Sequence, residues 1–140
     1  MSGKVFLDTN IFMYALDAAQ GAKHERALFV VENLWSWGRA VLSTQVLQEL
    51  CINLRQKVRP PLSGEEVYRI IGDYLSWPVV VNTGESVLGA LEIEARYQIS
   101  FWDALIVQAA QTAGAETLYS EDLNDGQVYG SVRVVNPLKA

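Results

Sequence analysis

The sequence has 140 residues, of which 50% are hydrophobic and 19% charged, a composition typical of a globular domain rather than a disordered chain. Its single cysteine, Cys51, excludes an internal disulfide, and with His24 as the only histidine the usual zinc sites and histidine-assisted nucleophiles are poorly supported. The formal net charge of -5 argues against nucleic-acid binding, unless bound divalent cations neutralise some of the acidic residues.

We expect residues 1–140 to form a single domain, because no linker, repeat or low-complexity tract divides them. No hydrophobic run reaches the length of about 20 residues that a membrane helix needs, and the N-terminus does not resemble a signal peptide. The sequence therefore predicts a cytoplasmic protein that does not span a membrane.

Hydrophobic periodicity and capping residues predict a chain in which strands and helices alternate. In chain order the predicted elements are a strand over 5–7, a helix over 11–16, a helix over 23–37, a strand over 40–43, a helix from Ser43 or Thr44 to about Val58, a helix over 63–77, a strand over 78–81, a helix over 83–98, a helix over 101–113, a strand over 117–120, a polar loop over 121–130 and a strand over 132–135. The strands are mostly continuous apolar runs, which is the pattern of strands buried on both faces. We therefore predict an α/β fold in which a parallel sheet of about five strands is flanked by helices on both faces. The helices on either side of Pro60-Pro61 would be an excursion between the second and third strands.

Four acidic residues occupy positions that this sheet would bring together. Asp8 ends the first strand, Glu49 lies in the helix after the second strand, and Asp122 follows the fourth. Asp103 lies in the first turn of a helix that begins after Ser100. Each also has a simpler interpretation: Asp8 and Asp103 as helix-capping residues, Glu49 as a solvated helix charge, and Asp122 as a turn residue.

Taken together, the four acids indicate a metal site. Carboxylate oxygens suit hard divalent cations such as Mg2+ or Mn2+, whereas clustered carboxylates without a cation repel one another. The chemistry that uses such a site is phosphodiester hydrolysis, in which a metal polarises the phosphate and activates a water molecule.

Several stretches of the sequence together resemble the PIN-domain ribonucleases, and in particular the VapC toxins of bacterial toxin-antitoxin pairs. The matching stretches are Val5-Phe-Leu-Asp-Thr-Asn-Ile-Phe, a glutamate (Glu49) in the helix after the second strand, Phe101-Trp-Asp-Ala-Leu-Ile-Val, and Leu118-Tyr-Ser-Glu-Asp-Leu-Asn-Asp-Gly. The resemblance covers essentially the whole chain, and its specificity lies in the ordered set rather than in one motif.

The resemblance implies roles for particular residues. The metal-binding acids of the family correspond to Asp8, Glu49, Asp103 and Asp122. The small hydroxyl residue near the last acid corresponds to Ser120, and the residues that shape the site after the first acid correspond to Thr9 and Asn10. The implied activity is that of a Mg2+-dependent endoribonuclease that cuts single-stranded or loop RNA and leaves a 5'-phosphate and a 3'-hydroxyl. Asp8 and Asp103 would be the principal ligands, while Glu49 and Asp122 would complete the shell or orient the attacking water. The family also implies a homodimer and a VapB-like antitoxin that blocks the active-site groove.

Two other functions fit parts of the sequence. Aspartyl-phosphate phosphatases also begin with a strand that ends in Asp, but they need a second carboxylate where this chain has Asn10. A PIN fold that acts mainly by binding a partner protein is the other alternative, although the presence of all four acids disfavours an inactive site.

Other residues have weaker assignments. Two interpretations fit the basic cluster 55–59: contacts to RNA phosphates, or favourable charge at a helix C-terminus. Trp102 is a candidate for substrate contact because it precedes Asp103 in the first turn of a helix. The helices around Pro60-Pro61 are candidate dimer or antitoxin surfaces, and Asp125 is interpreted as a turn residue.

Overall fold

The computed structural model describes residues 3–139, which form one six-stranded sheet and the helices that cover it. In chain order the elements are β1 (Lys4–Leu7), α1 (Thr9–Leu16), a short 3-10 helix (Ala18–Gln20), α2 (Ala22–Trp37), β2 (Ala40–Ser43), α3 (Thr44–Gln56), α4 (Gly64–Tyr74), β3 (Val79–Val80), α5 (Gly84–Tyr97), α6 (Phe101–Thr112), β4 (Ala115–Tyr119), β5 (Val128–Tyr129) and β6 (Val132–Val135).

The strand order across the sheet is β3-β2-β1-β4-β6-β5. All neighbouring strands are parallel except β5 and β6, which pair antiparallel. The predicted α/β class with a parallel sheet is therefore confirmed. The sequence predicted a polar loop where β5 lies, because a strand of two residues is too short to show a hydrophobic period.

The middle of the sheet explains the apolar run at the start of the chain. Val5, Phe6 and Leu7 are all buried, because β1 lies between β2 and β4 and has helices over both of its faces. The residue that follows β1 therefore lies at the carboxyl edge of a central strand, where open α/β sheets bind their ligands.

The first helix begins earlier than expected, at Thr9 rather than near Ile11. Asp8 has an extended backbone and its side chain accepts a hydrogen bond from the Thr9 amide, so it caps the helix directly. The capping interpretation of Asp8 is thus correct, and it places the carboxylate between a buried strand and a helix N-terminus.

The predicted excursion between the second and third strands is present as α3 and α4. The capping box that opens α4 is formed by Ser63 and Glu66, as the spacing predicted. This helix ends at Tyr74, before the expected Trp77, and both rings pack edge-on at 5.2 Å in a cluster with Phe12 and Trp35. Two of the four tryptophans therefore belong to a structural aromatic cluster.

None of the helices within 3–139 combines the length and apolar character that crossing a membrane requires.

Candidate active site

Asp8 is the most deeply buried of the four predicted site acids. Its side chain is 5% exposed and accepts two hydrogen bonds, one from the Thr9 amide at 2.7 Å and one from Ser120 Oγ at 2.9 Å. Because Ser120 directly follows β4, this second bond joins the carboxyl ends of the two central strands.

Ser120 is fully buried and organises the loop after β4 as well as Asp8. Its Oγ accepts hydrogen bonds from the backbone amides of Asp122 at 3.2 Å and Leu123 at 3.4 Å. One hydroxyl therefore donates to the first acid and fixes the backbone that carries the last one.

Glu49 reaches the same edge of the sheet from α3. Thr9 Oγ1 donates to Glu49 Oε1 at 2.6 Å, and Gln45 Nε2 donates to Glu49 Oε2 at 3.3 Å. Both carboxylate oxygens are thus held by partners, so Glu49 is a half-buried, oriented group and not a freely solvated helix charge.

Asp103 lies in the first turn of α6, which begins after the cap residue Ser100. Its backbone amide donates to Ser100 Oγ at 3.1 Å, so Ser100 is the residue that caps this helix and the side chain of Asp103 makes no capping hydrogen bond within the described residues. Gln45 Nε2 donates to the carbonyl of Trp102 at 3.3 Å, and this bond ties the start of α6 to the helix that carries Glu49.

Asp122 is the most exposed of the four acids and is held by the third residue of the opening motif. Asn10 Nδ2 donates to Asp122 Oδ2 at 2.6 Å. One helical turn later, Tyr14 donates its hydroxyl to Glu121 Oε1 at 2.7 Å. Two residues of α1 therefore clamp two consecutive residues of the loop after β4.

The electrostatics of Asp8 follow from its burial. The pKa of Asp8 is raised from 3.8 to about 7, mainly because burial removes its hydration. The hydrogen bonds from Ser120 and Thr9 oppose this rise, and the charges of Asp122 and Glu49 add to it. Burial also raises the pKa of Asp103, with the same two neighbouring acids adding to the rise. Glu49 and Asp122 therefore act on the charge of both Asp8 and Asp103.

The chemistry of these donors fits a hard divalent cation, because carboxylate oxygens are the ligands such ions prefer and the charges near Asp8 are the two further carboxylates of Asp122 and Glu49. Within residues 3–139 no three acidic, histidine or cysteine side chains are already arranged to hold a metal ion. Instead, Glu49 and Asp122 are oriented by the hydrogen bonds from Thr9 and Asn10.

Three other predicted residues lie outside this group. Asp125 accepts from the Asn136 amide at 2.8 Å and from Lys139 Nζ at 3.1 Å, which makes it a clamp on the C-terminal segment. Trp102 is 63% exposed beside Asp103, where a base could stack on its ring. In the basic cluster, Arg59 donates to the carbonyls of Gln56 and Val58, as expected for a cation at a helix C-terminus.

Gln45 is a site residue that the sequence analysis missed. It is buried, and its side-chain amide contacts both Glu49 and the Trp102 carbonyl. Its spacing of four residues before Glu49 places both on one face of α3, and this spacing was the available signal.

Comparison with known proteins places the fold. The sequence model of the PIN-domain family matches residues 5–128 of the chain. No curated protein sequence matches the chain.

Solved structures of three bacterial proteins resemble the chain. The toxin VapC20 of Mycobacterium tuberculosis, described as cleaving the sarcin-ricin loop, is 20% identical with a TM-score of 0.65, and the match covers 85% of this chain and 90% of that one. A toxin-antitoxin complex from Klebsiella pneumoniae is 18% identical with a TM-score of 0.68 and coverage of 96% and 98%. DNA-bound VapBC from Salmonella typhimurium is 18% identical with a TM-score of 0.61 and coverage of 94% and 96%. At these identities the likeness shows a shared fold.

Proposed function

Because this chain belongs to the PIN-domain family, we propose that it is a metal-dependent endoribonuclease that hydrolyses RNA phosphodiester bonds and acts as the toxin of a toxin-antitoxin pair. The observation that carries this proposal is the buried Asp8 at the end of β1, whose neighbours Glu49 and Asp122 also act on the charge of Asp103. Since its substrate would be cellular RNA, the proposed place of action is the cytoplasm.

The proposed metal is Mg2+ or Mn2+, held by Asp8 and Asp103, with Glu49 and Asp122 completing the shell or orienting the attacking water. When bound, such an ion supplies Lewis-acid polarisation of the phosphate and a more acidic water. The carboxylate oxygens of Asp8 that already accept hydrogen bonds keep free lone pairs, since an ionised carboxylate accepts about four bonds.

The uncharged residues of the site hold the acids in place. Thr9 fixes Glu49, Asn10 fixes Asp122, and Ser120 fixes Asp8 through hydrogen bonds of 2.6, 2.6 and 2.9 Å. Outer residues of this kind orient metal ligands and reduce the reorganisation needed for catalysis. Asn10 is an amide donor here, which is unsuited to the general acid/base role of the corresponding residue in aspartyl-phosphate phosphatases.

The proposed substrate is single-stranded or loop RNA, cut to leave a 5'-phosphate and a 3'-hydroxyl. Trp102 is proposed to stack on an unpaired base, because it is exposed and adjoins Asp103. A duplex would not offer a free base face to this ring.

The proposed protein partner is a VapB-like antitoxin, and the proposed oligomer is a homodimer. A mostly apolar groove between α3 and α4 supports the antitoxin, because it exposes Tyr68 by 83% and Leu75 by 60% around a cavity of about 340 Å³. The similar structures from Klebsiella pneumoniae and Salmonella typhimurium are a toxin-antitoxin complex and a VapBC complex, which also supports such a partner. Sedimentation equilibrium of the purified chain tests the homodimer.

RNA cleavage by the purified protein tests the enzymatic proposal. We expect cleavage of single-stranded RNA with Mg2+ or Mn2+, none with excess EDTA, and loss of at least about 1,000-fold in kcat for Asp8→Asn. The exposed acid Asp73 provides the matched control, since Asp73→Asn changes the charge equally outside the site. Equal activity of Asp8→Asn and Asp73→Asn would contradict the proposal.

Growth tests distinguish a toxin from a PIN fold that acts only by binding. We expect arrest on expression of the chain, relief by co-expression of the neighbouring gene product, and no arrest with Asp8→Asn. Arrest that persists in folded Asp8→Asn would instead support the binding function.

A further inference from the structure

A second, more polar pocket opens between α1 and α3, and one of its lining residues, Asn10, also holds the site acid Asp122. It has a volume of about 170 Å³ and its lining includes Asn10, Tyr14, Asp17, Asn53 and Lys57. This space is well above the roughly 10–15 Å³ that one buried water needs, so the pocket has room for a small ligand group.

The pocket continues the same helix faces that build the site. On α3, Asn53 follows Glu49 by four residues and Lys57 follows by eight, so all three lie along one face. Along the axis these spacings correspond to about 6 Å and 12 Å from Glu49. At the near end, Asn10 both lines the pocket and donates to Asp122.

The pocket contains polar groups that the fold itself leaves unused. Within residues 3–139 the side chains of Asn53 and Lys57 make no hydrogen bond or ion pair, although Asn53 is half-buried. A partly buried amide without a partner loses hydration that a ligand could replace. Both polar groups are therefore available to a bound molecule.

Lys57 differs in this respect from the other basic residues of its cluster. Arg55 Nε donates to the Cys51 carbonyl at 3.1 Å, and Arg59 Nη1 donates to the Gln56 carbonyl at 2.9 Å. The two guanidinium groups thus bind backbone carbonyls of their own segment, while the Lys57 ammonium remains available at the pocket.

The opposite wall is rigid and carries an acceptor. Asp17 is buried, and its two oxygens accept from the Ala19 amide at 3.2 Å and from Gln20 Nε2 at 2.9 Å. Tyr14 is held by its bond to Glu121. The wall therefore combines an oriented carboxylate, which only accepts hydrogen bonds when ionised, with an aromatic ring.

We propose that this pocket binds one unpaired nucleotide of the RNA substrate next to the scissile bond. Lys57 contacts the phosphate of this nucleotide, and Asn53 and Asp17 contact the edge of its base. Asp17 is an acceptor, so the pocket favours bases that carry an exocyclic amine, which can donate a hydrogen bond to it. Uracil is disfavoured because the single N–H on the same edge of its ring lies between two carbonyl oxygens. This proposal rests on the proposed ribonuclease function and adds a specificity site to it.

Cleavage of a pool of single-stranded RNAs with randomised positions, followed by sequencing of the product ends, tests the pocket. We expect wild type to disfavour uracil at one position beside the cut, and Asn53→Ala to weaken that bias without moving the cut. Lys57→Gln should raise KM by about tenfold and leave kcat nearly unchanged, as expected for a lost phosphate contact. Arg69→Gln, which removes an exposed cation from α4, is the matched control. Two results together would overturn the proposal that the pocket binds a nucleotide. They are a base bias that is unchanged in Asn53→Ala and a KM for Lys57→Gln that lies within twofold of the control.

A binding measurement separates failure of the pocket from failure of the ribonuclease function. If wild type cuts no RNA, we measure binding by fluorescence anisotropy without divalent cations. The two labelled oligonucleotides differ at one position, where one has an amine-bearing base and the other has uracil. Binding that weakens in Lys57→Gln but not in Arg69→Gln supports the pocket even then. Binding equal in both variants, or absent in wild type, overturns it.

Discussion

Thr9 Oγ1 donates a 2.6 Å hydrogen bond to Glu49 Oε1, so the residue after the first site acid orients the second across 40 positions of sequence. The bond fixes the register between the start of α1 and the middle of α3. It also explains why a hydroxyl residue at position 9 is suited to this site.

Removing that hydroxyl is expected to lower activity without unfolding the protein. Thr9→Val keeps the shape but loses the donor, and changes of this outer kind typically cost about 10- to 100-fold in metal affinity or activity. Thr9→Ser retains the hydroxyl and should keep most of the activity. The measurement is Mg2+-dependent RNA cleavage, and equal loss in both variants would contradict the orienting role.

Ser120→Ala is expected to destabilise the fold. The change removes the donor to Asp8 and the acceptor for the Asp122 and Leu123 amides, all in a fully buried position. An unsatisfied buried group costs about 1–3 kcal/mol, so the free energy of unfolding in urea should fall by that amount. Ser131→Ala, at an exposed position, should stay within about 0.5 kcal/mol of wild type.

The raised pKa of Asp8 predicts a pH-dependent stability in the absence of divalent cations. Burial raises this pKa from 3.8 to about 7, so between these values the folded state binds more protons than the unfolded state. The free energy of unfolding therefore decreases as pH rises from about 4 to 7, by at most about 4 kcal/mol from this group. Urea unfolding at pH 5 and pH 8 in EDTA should show this loss in wild type and in Asp73→Asn, and a smaller one in Asp8→Asn. A decrease of the same size in Asp8→Asn would rule out Asp8 as its source.

Divalent cations are expected to offset part of that loss of stability, since a ligand that binds only the folded state stabilises it by mass action. At a free Mg2+ concentration ten times its Kd the gain is about 1.4 kcal/mol, which a thermal unfolding curve detects as a higher Tm. Asp103→Asn should reduce the shift and Asp73→Asn should not. An identical Tm shift in both variants would place the ion elsewhere.

Tyr68→Ala is expected to weaken binding of the antitoxin and leave RNA cleavage unchanged. Tyr68 is 83% exposed in the apolar groove between α3 and α4 and makes no contact with the four acids that would support catalysis. Isothermal titration with the neighbouring gene product measures the affinity. The exposed Phe29 on α2 supplies a control, because Phe29→Ala removes an aromatic ring away from that groove.

Capping sequences were informative about local structure because their contacts span few residues. Ser63 with Glu66 and Ser100 with Asp103 both form the hydrogen bonds that their spacing of three residues predicted. The same locality limits them, since a capping carboxylate such as Asp8 looks alike in sequence whether or not other acids surround it. The two-residue strand β5 was missed because its pairing with β6, rather than its own sequence pattern, defines it.

The sequence by itself determined the order of strands and helices, the burial of β1 and the position of Asp8 at its carboxyl end, because hydrophobic periodicity and capping are encoded within a few neighbouring residues. Membership of the PIN-domain family was also recognisable from the sequence, since the family model matches residues 5–128. Only the tertiary structure decided that Asn10 holds Asp122, that Ser120 holds Asp8 and that Lys57 rather than Arg59 remains available beside the site. The first two bonds join residues 112 positions apart, and no local pattern records which side chains meet when the ends of β1 and β4 are brought together.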